Sequence, residues 1–201
     1  MEEEGALAQF FACFVYRDAM EGNTPEEQYD AGYRHVLDMI DHMARQAERY
    51  SGRLELAKKP EDIEIIQKKG KTGAVLTVEE GGVLNGSLAR LDELYRRGVR
   101  LITLLWNYEN CIGAPNSQVP SNMEKGLTPF GIRVVERMNE LSMIVDVSHA
   151  SDGVFWDVIK RSRRPVAATH SNCRALADHP RNLTDEMLRA LGEQGGVAGL
   201  N

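Results

Sequence analysis

The chain has 201 residues, five of them histidine, and a formal net charge of -6. That length holds one domain with a substantial core, and the acidic balance argues against nucleic acid or an anionic membrane as partner. Three cysteines, Cys13, Cys111 and Cys173, are odd in number, far apart and without a C-x-x-C pair, which predicts reduced thiols in a cytoplasmic protein.

The opening string MEEEGALAQFFACFVY carries its apolar run behind acidic residues, where a signal peptide would have basic ones. The run is also too short to span a bilayer, so residues 8–16 read as a buried strand. A long helix follows, with Thr24 as cap, Pro25 at its first position and acidic residues in its first turn. Tyr29, Tyr33, Val36, Ile40, Met43, Ala47 and Tyr50 fall three or four apart on one face, and Gly52 ends it.

The same alternation then repeats. PEDIEIIQKKG is a short helix, GAVLTVEE a strand, SLARLDELYRRG a helix and RLITLLW a strand. Residues 107–127 form a loop rich in Asn, Gly and Pro, long enough to predict a functional role. TPFGIRVVERMNELS is a helix capped by Thr128, MIVDVSH a strand, SDGVFWDVIKRS a helix and PVAATHS a strand. TDEMLRALGEQGG is a helix capped by Thr184, and VAGLN starts one more strand. About six near-continuous apolar strands, most followed by a helix, predict a parallel sheet covered on both faces. The expected architecture is an incomplete (β/α)8 TIM-barrel-like fold forming a single partial barrel domain over 1–201.

Barrel chemistry sits at the C-terminal ends of strands. Four strand ends here carry polar groups: Glu79 and Glu80; Trp106, Asn107 and Tyr108; His149; and His170. IVDVSHAS and PVAATHSN place their histidines at matching positions. Two histidines and a glutamate from three strand ends would form a three-ligand metal site with an open position, the kind that acidifies a bound water. The bland alternative is a pair of hydrogen-bonded histidines. His35 and His42 lie on the long helix, and His179 reads as a loop hydrogen-bonder. Asp146 differs in parity from His149, so it is expected to face away and be structural. Cys173 reads as a small packed residue, and Arg181 taken alone as a surface charge.

The strings LTPFGIRVVERMNELSMIVDVSHAS, PVAATHSNCRALADHPRNLTDEMLRAL and VEEGG…SLARLDELYRRGVRLITLLWNYEN closely resemble the renal (membrane) dipeptidase family, in its bacterial cytoplasmic type. The resemblance runs from about residue 6 to 201. It implies a metallodipeptidase with a (β/α)8-like barrel, a two-zinc centre and a dipeptide as substrate. Through the EGG string it implies Glu80 as the metal-bridging carboxylate. It implies His149 and His170 as ligands of the second metal, and Arg181 as the group that binds the substrate carboxylate. No catalytic residue is assigned within the chain.

The family's first-strand His-x-Asp pair has no counterpart here, and its late-strand catalytic aspartate would fall beyond Asn201. Trp106 stands where the animal enzymes have a substrate-contacting histidine, so Asn107 or Tyr108 is expected to share substrate binding. The sequence thus looks like a fragment lacking the first strand and the C-terminal third. Open sheet edges predict self-association into a homo-oligomer. The alternative reading is a truncated, inactive relative that binds one metal or a partner protein.

Overall fold

A computed structural model describes residues 6–201. Seven strands form one parallel sheet: β1 (Ala8–Phe14), β2 (Leu54–Leu56), β3 (Thr72–Glu79), β4 (Val99–Thr103), β5 (Ile144–Asp146), β6 (Ala167–Ala168) and β7 (Val197–Ala198). The order is β1-β3-β4-β5-β6-β7, with β2 paired to the start of β3. Between the strands run α1 (Pro25–Arg49), α2 (Pro60–Lys68), α3 (Leu88–Arg96), α4 (Pro120–Met123), α5 (Pro129–Glu140), α6 (Asp152–Arg161) and α7 (Asp185–Glu193). This is an α/β half-barrel of parallel strands. No helix among the described residues is long and apolar enough to cross a membrane.

The helix starts follow from their caps. Thr24 accepts from the Glu27 N–H at 3.2 Å, and the Glu27 carboxylate accepts from the Asn23 N–H at 2.7 Å. Thr128 and Thr184 cap α5 and α7 in the same way. Each such cap satisfies an N–H that the helix itself leaves open, typically worth about 1 kcal/mol.

One side of the sheet carries the main core. Cys13, Leu76, Val78, Ile102, Leu104, Val145, Val147 and Ala168 pack there with Leu91, Leu94, Val134, Val135, Met138, Phe155 and Val158 of the helices. The neighbouring strand positions point to the concave side. Phe10, Leu101, Ile144, Ala167, Thr169 and Val197 line a cavity of about 340 Å³ there, so β1 and β7 face one another across the curl.

Four expectations need correction. The strand at residues 8–16 is not buried on both faces: Cys13 is buried, but Phe10 is 45% exposed on the concave side. β2 was unforeseen, because a three-residue LEL is too short to show a period. The loop over 107–127 contains α4 and a bridge from Pro115 to Ala150. The long helix stops at Arg49, before Gly52, and Tyr50 is exposed.

Candidate metal centre

The C-terminal strand ends bring three side chains together. Ligand atoms of Glu79, His149 and His170 all lie within 4.8 Å of one another. Glu79 Oε1 is 3.5 Å from Nε2 of each histidine, and the two Nε2 atoms are 3.1 Å apart. Burial, helped by the nearby Arg181 guanidinium and by His170, pushes the His149 imidazole down to about 3. His149 is therefore a neutral donor at physiological pH, which is the form that binds metals. A compact, partly buried set of one carboxylate and two imidazoles fits a zinc-like divalent ion with open positions.

Glu80 is not in this group. β3 alternates, so Glu79 shares the concave side with Thr77, and the strand ends there; the left-handed turn at Glu80 carries its carboxylate to other partners. Its backbone has φ 91°, and its Oε1 accepts from the Gly82 N–H at 2.8 Å and from Asn110 Nδ2 at 2.5 Å. Oε2 is buried with no partner among the described residues, and burial raises this carboxyl to about 7 against the donors that would lower it. The carboxylate that meets the histidines is therefore Glu79, one residue earlier than the EGG string implied.

Asp146 does not face away from the site. The strand ends at Asp146, and the chain turns before His149, whose φ is 68°. That turn defeats the parity argument, which holds only within a continuous strand. The Asp146 carboxylate is fully buried and accepts four hydrogen bonds. Oδ1 takes the Ser148 and Thr169 N–H groups, each at 3.0 Å, and Oδ2 takes the hydroxyls of Thr103 at 2.7 Å and Thr169 at 2.6 Å. It ties β4, β5 and β6 together beneath the histidines.

Arg181 stands at the rim. Its Nη1 donates to Ser171 Oγ at 2.7 Å, while Nη2 is buried with no partner among the described residues. Burial pulls its pKa down, and Asp146 and Glu79 oppose that. A buried guanidinium with a spare donor is suited to an incoming carboxylate. His179 holds the Arg181 backbone, its Nδ1 accepting the Arg181 N–H at 3.0 Å.

An aromatic cluster also borders the histidines. The Trp106 ring lies 5.1 Å from Phe14, 5.6 Å from Tyr16, 5.7 Å from Tyr108 and 6.3 Å from His149, centroid to centroid. Tyr108 does not offer its hydroxyl to the site: it donates to Asp18 Oδ2 at 2.7 Å, and Arg17 covers the ring at 3.7 Å. Asn107 is exposed and makes no side-chain hydrogen bond among the described residues. The sequence places Glu79 at its strand end, but its EGG string assigns the ligand's part to Glu80; parity along the strand reads Asp146 as structural and facing away, and Thr169 is not singled out. Strict alternation from Leu76 and Val78 would have found Glu79; nothing local marks the other two.

The whole chain, residues 1–201, matches the family model described as membrane dipeptidase, peptidase family M19. An uncharacterised dipeptidase of Schizosaccharomyces pombe is 32% identical over 198 residues, covering 96% of this chain and 47% of that protein. Dipeptidase tcpJ of Claviceps purpurea is 33% identical over 193 residues, covering 96% and 45%. Among solved structures, the probable dipeptidase PvdM from Pseudomonas aeruginosa has a TM-score of 0.88 at 26% identity, over 99% of this chain and 52% of that one. The chain spans about half the length of these curated relatives.

Proposed function

The chain belongs to the membrane dipeptidase family, and from that premise we propose that the protein hydrolyses dipeptides at the Glu79–His149–His170 centre, with zinc as the ion. The observation that carries the reading is the pairing of that three-ligand cluster with the unpartnered Nη2 of Arg181. An ion held there would polarise the scissile carbonyl and activate a water. The chain's own residues do the rest. Arg181 anchors the substrate's terminal carboxylate, with Ser171 holding the guanidinium in place. A fixed carboxylate in turn sets how far the peptide bond lies from the histidines. Trp106 and its aromatic neighbours border the histidines, where a substrate side chain packs and water is excluded.

Ligands for one ion are together here; among the described residues no second such group occurs. The two-ion centre implied by the family resemblance would need further ligands. The test is release of free amino acids from a panel of dipeptides by the zinc-loaded protein, with a chelator-treated sample as control. Hydrolysis that disappears with the metal and with His149→Ala supports the reading. A zinc-loaded protein that leaves every dipeptide intact overturns it.

A further inference from the structure

The two histidines of the centre are held differently. Thr169 Oγ1 lies 2.6 Å from Asp146 Oδ2 and 2.8 Å from His170 Nδ1. A hydroxyl has one proton to give. Asp146 already takes two amide N–H groups on Oδ1 and the Thr103 hydroxyl on Oδ2, the pattern of an ionised, acceptor-only carboxylate. The Thr169 proton therefore goes to Asp146, and the Thr169 oxygen is left to accept. Its partner at 2.8 Å can then only be an Nδ1–H. Ser148 supports the arrangement, because its Oγ accepts the His170 backbone N–H at 3.1 Å. His149 has no such tether: its Nδ1 is buried without a partner among the described residues.

We propose that Asp146 and Thr169 are positioning residues that lock His170 with its proton on Nδ1, turning a bare Nε2 lone pair toward Glu79 and His149 before any metal arrives. The chain of bonds runs Asp146–Thr169–His170, with Thr103 and Ser148 bracing it. A carboxylate behind a ligating imidazole, acting directly or through a hydroxyl, fixes the ring and makes the free nitrogen a better donor. The inference rests on the reading of His170 as a metal ligand, but the lock itself is a property of the metal-free chain.

The experiment is a long-range ¹H–¹⁵N correlation spectrum of the metal-free protein labelled at histidine, with the His170 signals identified by comparison with His170→Gln. The expected result is one protonated Nδ1 and one bare Nε2 on His170, unchanged in Thr169→Ser and lost in Thr169→Val. A His170 that carries its proton on Nε2 in the wild type overturns the proposal, and needs neither Thr169 variant to fold. Zinc titration of the same samples adds a second readout. Thr169→Val should weaken binding about tenfold or more, the range usual for loss of a ligand's hydrogen-bond partner, and Thr169→Ser should restore it. Equal zinc affinity in Thr169→Val and wild type also overturns it. Dipeptide hydrolysis enters neither measurement, so an inactive protein with a locked His170 would count against the dipeptidase reading alone.

Discussion

Glu79 and Glu80 are neighbours in sequence, but β3 ends between them and their carboxylates meet different partners. Glu79 Oε1 reaches both histidines at 3.5 Å, and Glu80 Oε1 reaches back to Gly82 and Asn110. One carboxylate meets the proposed metal centre, and the other supports the loop that carries Trp106.

Glu80 makes folding of the metal-free protein depend on pH. Its carboxyl is raised from 4.5 to about 7, so the folded state binds more protons than the unfolded state between those values. Stability from this group is full below about 4.5 and is lost as pH rises through 7. His149, lowered to about 3, acts in the opposite sense: its cost is felt as pH falls below the ordinary histidine range. Denaturant melts of wild type and Glu80→Gln isolate the first effect, since His149 is common to both. Relative to wild type, Glu80→Gln should gain on the order of 3 kcal/mol between about pH 4 and pH 8. A constant difference across that range would show that Glu80 is not a buried neutral acid.

Arg181 should distinguish free from blocked C-termini. A dipeptide amide offers the guanidinium one neutral carbonyl oxygen in place of a charged pair of acceptors. The zinc-loaded wild type is expected to prefer the free acid strongly, and Arg181→Lys should raise KM for the free acid by roughly tenfold or more, because an ammonium cannot form the fork. Steady-state kinetics on acid and amide pairs check this. Arg181→Lys that retains the full preference would remove Arg181 from the site.

Trp106 should govern how bulky side chains are handled. It is wedged among Phe14, Tyr16 and Tyr108, with its ring 6.3 Å from that of His149. Truncation to alanine is expected to lower kcat/KM for aromatic dipeptides by about tenfold relative to glycylglycine, as loss of one aromatic contact and its buried area would. A uniform loss across the panel would mean that Trp106 supports the fold rather than the substrate.

Much of this architecture was legible from the sequence because its signals are local. Thr24, Thr128 and Thr184 each precede an apolar period of three and four, and each caps a helix. The matching histidine strings lie at adjacent strand ends, and 3.1 Å separates their Nε2 atoms. What escaped depends on contacts distant in sequence or on backbone turns. β2 is placed by its register on β3 and by ion pairs from Glu55 to Lys69 and Lys71. Asp146 becomes a support through Thr103 and Thr169 on neighbouring strands, and the left-handed turn at His149 breaks the parity that had turned it away. The choice between Glu79 and Glu80 needed only the alternation already visible in LTVEE, but the motif-like EGG string pulled the assignment one residue along.

The most direct test of the account is zinc titration of the metal-free protein, comparing wild type with Glu79→Gln, Glu80→Gln and His170→Gln by competition with a chromophoric chelator. The account predicts that Glu79→Gln and His170→Gln each lose zinc affinity by tenfold or more, while Glu80→Gln binds as the wild type does. The reverse pattern, with Glu80 required and Glu79 dispensable, or no high-affinity zinc in the wild type at all, would contradict it.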